Sequence, residues 1–144
     1  MSGPPEAGWS LLYDDACGFC RVMVAAVLAR DRGGRVRPVA IASDRGRSIL
    51  GGMSEADAAA SWHLYDHAEA RLYSDGAVVA PLTRALGRLR RIGRLTACAP
   101  LTTRRLYFAI ATRRCLIGPR LPASWKRRAA RTIALREQPG LRGW

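Results

Sequence analysis

Val22 to Ala29 is an unbroken apolar run inside a stretch that reads as helix from about Cys17 to Arg30. A helix that is apolar all round has no face to offer water, so it must be covered on more than one side. The run is far shorter than the ~18–20 residues needed to span a bilayer, so the cover must come from other layers of the protein. The flanking pattern supplies them. Trp9 to Tyr13 is a short apolar run that fits a buried strand. Asp31-Arg32-Gly33-Gly34 stops the helix. Arg35 to Ile41 reads as a second strand, and Pro38 within it, lacking a donor N–H, belongs at a sheet edge.

Residues 43–60 are polar, Gly-broken and Ala-rich, with Ser54, Glu55 and Asp57 marking a helix start. Ser61 to Asp66 and Arg71 to Ser74 read as strands joined by a turn at His67 to Ala70, a hairpin. A helix follows from about Val78, with Pro81 in its first turn, where proline is tolerated. Val78, Leu82, Ala85, Leu86, Leu89 and Ile92 fall on one face of it. Two further helical stretches, about 101–116 and 122–136, are separated by Pro119 and Pro122. A strand–helix–strand unit gives parallel strands through a right-handed crossover, and the hairpin adds two antiparallel ones. The expected fold is therefore α/β: a thioredoxin-like four-stranded mixed sheet with flanking helices and a basic helical C-terminal extension. At 144 residues the chain fits one domain. Residues 1–8 read as a flexible tail, 9–95 as the core, and 96–144 as the extension of the same domain.

Charge is unevenly spread. The net charge is +13, and Lys126 is the only lysine. Residues 1–75 are slightly acidic on balance, whereas no Asp or Glu occurs from Gly76 to Arg136. Abundant Ala and Arg is what a GC-rich genome writes; that explains Arg over Lys but not the missing acids. An anionic membrane surface or an acidic protein is the partner such asymmetry suggests. Arg104-Arg105 and Arg113-Arg114 bracket the apolar Leu106 to Ala111, a pattern that could lie at a membrane interface. The helices near 82–95 and 101–115 could mimic a helix–turn–helix, but their turn is Ala-Pro rather than a glycine turn, so nucleic acid is not the expected partner. The start of the chain lacks the basic and apolar pattern of a signal peptide, and a cytoplasmic location is expected.

Chemistry concentrates in Tyr13-Asp14-Asp15-Ala16-Cys17-Gly18-Phe19-Cys20, where the first strand gives way to the first helix. Free N–H groups and the helix dipole favour a thiolate at such a position. Two intervening residues let the sulfurs meet across one helical turn. Cys17 is expected to be the exposed nucleophile and Cys20 the buried resolving thiol. A zinc site would need four ligands, with Cys98, Cys115, His63 and His67 as candidates, but there is no second Cys-x-x-Cys. Haem attachment would need a His after Cys20, where Arg21 stands. Redox exchange is the preferred reading, and it requires no metal or organic cofactor. Asp14 or Asp15 could cap the helix; alternatively, Asp14 could accept the Cys20 proton during exchange. Cys98 and Cys115 are expected to be buried small apolar residues, His63 a satisfied sheet residue, and His67 a solvated turn residue.

The Tyr-Asp-x-x-Cys-x-x-Cys opening resembles the DCC family of thiol-disulfide oxidoreductases. Three further segments fit: His63-Leu64-Tyr65-Asp66, Tyr73-Ser74-Asp75-Gly76-Ala77 with Leu82 and Leu86, and Tyr107 to Arg114. The resemblance spans roughly residues 9–116. It implies a redox-active Cys17–Cys20 pair acting on protein or small-molecule disulfides and thiols. The alternative function is a basic thioredoxin-fold binding module in which the cysteines are not catalytic. One departure from thioredoxins stands out: the proline that precedes their third strand is replaced here by Ala58-Ala59-Ala60-Ser61.

Overall fold

The computed structural model describes residues 8–87 and 90–137, apart from the side chains at 90, 92, 93, 96 and 115. Four strands form one sheet: β1 (Trp9–Tyr13), β2 (Val36–Ala40), β3 (His63–Asp66) and β4 (Arg71–Ser74), in the order β2-β1-β3-β4. β1 pairs parallel with β2 and antiparallel with β3, and β3 pairs antiparallel with β4. Pro38, opposite Leu11, therefore lies in an edge strand as its missing donor requires.

β1 is one of the two inner strands, and Ser10 through Tyr13 are all buried, because both sheet faces are covered. On one face, Leu11, Tyr13 and Leu64 pack with Val24 and Leu28 of α1 (Gly18–Arg30) and with Leu82 and Ala85 of α4 (Val79–Ala85). On the other face stands His63, opposite Leu12. Its Nε2 meets the carbonyl of Ala58 at 3.1 Å, in α3 (Glu55–Ala60). A carbonyl only accepts, so Nε2 carries the proton and Nδ1 accepts from the Ser74 hydroxyl at 2.7 Å. Burial lowers the His63 pKa below its ordinary value, which holds the ring neutral.

Two short helices occupy the segment 43–60. Ser43 caps α2 (Asp44–Leu50) and Ser54 caps α3, each accepting from the backbone N–H three residues on. α2 packs so close to the end of β2 that a Cβ at Gly46 would lie 2.2 Å from the Ala40 carbonyl oxygen.

Beyond the sheet the chain is helical: α5 (Arg90–Cys98), α6 (Pro100–Ala111), α7 (Arg114–Ile117) and α8 (Ala123–Glu137). The single helix expected from Val78 onward is instead two. Gly87 takes φ +65°, a left-handed conformation suited to glycine, and its N–H closes back on the Arg84 carbonyl. Leu89 and the side chain of Ile92, assigned above to one continuous face, lie outside the described residues. So do the tail at 1–7 and the end of the chain after Glu137. The expected helix at 101–116 is likewise split, into α6 and α7.

α8 lies along α1 and β2, burying Ala129 and Ile133, and Ile133 joins the main core. It is clamped at the C-terminal end of α1. Asp31, 2% exposed, accepts from Val36 N–H at 2.9 Å and from the Arg136 guanidinium at 3.0 Å. Arg136 also donates to the carbonyls of Leu28 and Asp31 at that helix end, which accept from the backbone N–H groups of Asp31 and Gly34 as well. No helix among the described residues is long and apolar enough to cross a membrane.

Candidate active site

β1 delivers the chain to the site and a tight turn reorients it. The Asp14 carboxylate accepts from Ala16 N–H at 3.0 Å, and the Asp14 carbonyl accepts from Cys17 N–H at 3.2 Å. α1 then begins. Its N-cap is neither aspartate but Cys17 itself, whose Sγ accepts from Cys20 N–H at 3.4 Å. This corrects the capping role offered to Asp14 or Asp15: the Asp14 side chain is spent on the turn before the helix. A sulfur at that cap faces a backbone donor and the positive end of the helix dipole, both favourable to negative charge.

Cys17 is half-buried and Cys20 is fully buried, and both are free thiols. The Cys20 thiol is pushed up from its ordinary value to about 12, first by burial, then by its hydrogen bond to Cys17 and the Cys17 charge. A hydrogen bond to Trp62 and the charge of Arg114 act in the opposite direction.

Arg114 was named above within a basic pair and at the end of the Tyr107 to Arg114 segment, with no role at the cysteines, and it proves to reach the site. Its Nη1 lies 3.9 Å from Cys20 Sγ, and its Nη2 donates to the Ala59 carbonyl. The guanidinium thus links the first helix to the Ala58–Ser61 segment, where thioredoxins carry proline. Tyr107 of α6 ties down the same segment. Its hydroxyl accepts from Trp62 N–H at 2.7 Å and exchanges a hydrogen bond with Ser61 Oγ at 2.9 Å. Ser61 Oγ in turn accepts from Asp75 N–H at 2.9 Å. Tyr107 lies in α6 and Arg114 opens α7, so no single helical periodicity relates them, and nothing local in the sequence says what they face.

Gly118 closes the site from the other side. A Cβ there would lie 3.3 Å from Phe19 N, so the turn after α7 rests directly on the first turn of α1. On the opposite side of the turn, the Tyr13 hydroxyl donates to Glu137 at 3.4 Å. Burial first, then the charges of Glu137 and Asp15, push that phenol up to about 12.

The remaining candidates do not join the site. Cys98 is exposed, which corrects its expected burial: it is the last residue of α5. The Cys115 side chain lies outside the described residues. His63 is the satisfied sheet residue expected. His67 is not simply solvated: it is half-buried, with Nε2 2.8 Å from Ser10 Oγ. Among the described residues no three His, Cys, Asp or Glu side chains converge on a metal-sized site.

Comparison with known proteins adds one finding. The model of a family described as DCC1-like thiol-disulfide oxidoreductase matches residues 11–120, which takes in the cysteine pair, the whole sheet beyond Ser10, and Tyr107 and Arg114. No curated protein and no solved structure matches the chain.

Proposed function

The chain belongs to the DCC1-like thiol-disulfide oxidoreductase family, and from that premise we propose how its residues divide the work of exchange. Cys17 attacks one sulfur of a substrate disulfide. A mixed disulfide forms and the other substrate sulfur leaves as a thiolate. Cys20 then loses its proton and attacks Cys17 Sγ, releasing the second substrate thiol and leaving a Cys17–Cys20 disulfide. Substrate gains two electrons, and an external thiol reductant returns them to the pair.

The observation that carries this division is the asymmetry of the two thiols: Cys17 caps the helix and is reachable, whereas Cys20 is buried and held protonated. Two of the causes that raise Cys20 come from Cys17, its hydrogen bond and its charge. Both fall away once Cys17 sulfur is tied up in the mixed disulfide, so the resolving thiol becomes easier to ionise at the step that needs it. Arg114, 3.9 Å away, is placed to stabilise the thiolate that results. Asp14 is the proposed proton acceptor for Cys20, which requires its carboxylate to leave the Ala16 N–H. Neither a metal nor an organic cofactor enters these steps.

The basic extension over 96–144 supports a second role, docking on an anionic membrane surface or an acidic protein from a cytoplasmic location. The specific observation is that Leu101, Leu106, Phe108, Leu116, Trp125 and Leu135 are exposed among the arginines of α6 to α8. Such docking weakens with salt, whereas exchange with a small disulfide does not.

The redox proposal is tested by poising the protein in glutathione buffers and counting alkylated thiols by mass spectrometry. A reversible two-electron transition between about −120 and −270 mV is expected, the range of working exchange catalysts. Thiols at 17 and 20 that never pair would overturn it.

A further inference from the structure

An apolar cleft of about 510 Å³ opens beside Cys20, between α1 and α6. Its floor is one stripe of α1, Cys20, Met23 and Val27, at helical spacing, and Trp62, Leu82 and Ile110 complete it. The stripe runs about 15 Å from Cys20 to Arg30, at 1.5 Å per residue. The cleft follows from how α6 is held. The Tyr107 hydroxyl fixes it to Ser61 and Trp62, and at Gly76 the two backbones approach so that a Cβ would lie 3.1 Å from Arg104 Cα. Otherwise α6 stands off from the core with no buried residue. Met23 remains 38% exposed and Ile110 46%, both in the lining of the cleft. Contiguous apolar surface left open beside a reactive group marks a recognition site.

Charge narrows the occupant. Arg114 stands at the Cys20 end and Arg30 at the far end, and among the described residues no Asp or Glu lines the cleft. We propose that the cleft receives a bulky apolar residue next to the cysteine of a substrate protein's disulfide, in a segment that also carries a carboxylate. This rests on the exchange reading above and names its substrate class. Three features carry it: the wall shared with the resolving cysteine, the unfilled apolar surface, and the arginines at both ends.

The test uses three peptide disulfides identical but for two positions: Leu with Asp, Ser with Asp, and Leu with Lys beside the cysteine. The Leu–Asp peptide is expected to exceed the Ser–Asp peptide in kcat/KM by on the order of tenfold, the gain from partly burying a leucine side chain. It should exceed the Leu–Lys peptide severalfold, by a margin that shrinks as salt is raised. Ala26→Phe, or Ala111→Phe on the opposite wall should the first variant not fold, narrows the cleft and brings the Leu/Ser ratio toward one. Equal rates on the Leu and Ser peptides overturn the proposal and leave the exchange reading standing. Should no peptide be turned over, the exchange reading fails, and titration calorimetry of the Cys17→Ser variant with S-methylated Leu–Asp and Ser–Asp peptides decides the cleft. Selective binding of the Leu–Asp peptide sustains the cleft as a binding site; equal or absent binding overturns it.

Discussion

Arg136→Gln offers a sharp test of how the cysteine-bearing helix is held. The guanidinium makes three contacts at the end of α1: Asp31 Oδ2 at 3.0 Å, the Asp31 carbonyl at 2.7 Å and the Leu28 carbonyl at 3.1 Å. Asp31 is 2% exposed, so removing its partner leaves a carboxylate out of water that, among the described residues, keeps the Val36 N–H. Breaking a fully buried pair costs about 3–5 kcal/mol. The Arg136 side chain is 29% exposed, so water recovers part of that. The expected loss is about 2–3 kcal/mol, below the fully buried range. For a chain of this size that lowers Tm by roughly 6–10 °C, read by calorimetry at neutral pH. Asp31→Asn added to the variant removes the stranded charge, so the double variant should be more stable than the two single losses added together, by about 1–3 kcal/mol. A drop under about 1 kcal/mol, or simple additivity of the pair, would refute the view that a buried ion pair fastens α8 to α1.

Cys20→Ser should accumulate the mixed disulfide between Cys17 and substrate, visible as an added mass that reductant removes; Cys17→Ser should form none. His63 has a folded-state pKa below its unfolded one, so its contribution is complete above about pH 6.5 and is lost as pH falls through the folded value. Wild type should lose up to about 1.4 kcal/mol per pH unit in that window, and urea melts of His63→Gln should show a flatter dependence between pH 7 and 5. Gly46→Ala sets a Cβ 2.2 Å from a backbone oxygen and should cost more than the ~1–3 kcal/mol of ordinary overpacking, measured by chemical denaturation; a neutral Gly46→Ala would show that α2 is free to move off β2. Asp14→Asn should slow release of substrate from the mixed disulfide several-fold while leaving its formation faster or unchanged, followed by rapid-quench alkylation.

The sheet and its first helix were legible because their signals are local. An apolar run, a turn cluster and an edge proline each act within a few residues, and β1, α1, β2 and the hairpin fall where those signals place them. α2 was hidden by the residue its packing demands. Gly46 reads as a helix breaker, yet only glycine permits the helix to lie against the Ala40 carbonyl. The aspartates before α1 looked like its cap, since carboxylates are good N-caps. The turn consumed the Asp14 carboxylate first, and the cap fell to the reactive cysteine. Cys98 was misplaced because the rule that free cysteines are buried presumes a helix packed on the core, and α5 leaves that residue exposed.

What could not be read is the set of contacts that completes the site. Arg114 meets Cys20 across 94 residues, Tyr107 meets Ser61 across 46, and Arg136 meets Asp31 across 105. No periodicity encodes a partner so distant; in a sequence these residues are three members of a basic, aromatic stretch. Their joint effect is specific. The N-terminal half builds a sheet and presents two thiols at a helix start, as any strand–helix unit with that motif could. The C-terminal half replaces the missing proline with an arginine and a tyrosine, fastens both ends of α1, and stands one helix away from the core to leave an apolar cleft at the buried thiol. Both halves therefore meet at the buried thiol: the first half supplies the cysteines and part of the lining of the cleft beside them, the second the rest of that lining and the guanidinium 3.9 Å from Cys20 Sγ.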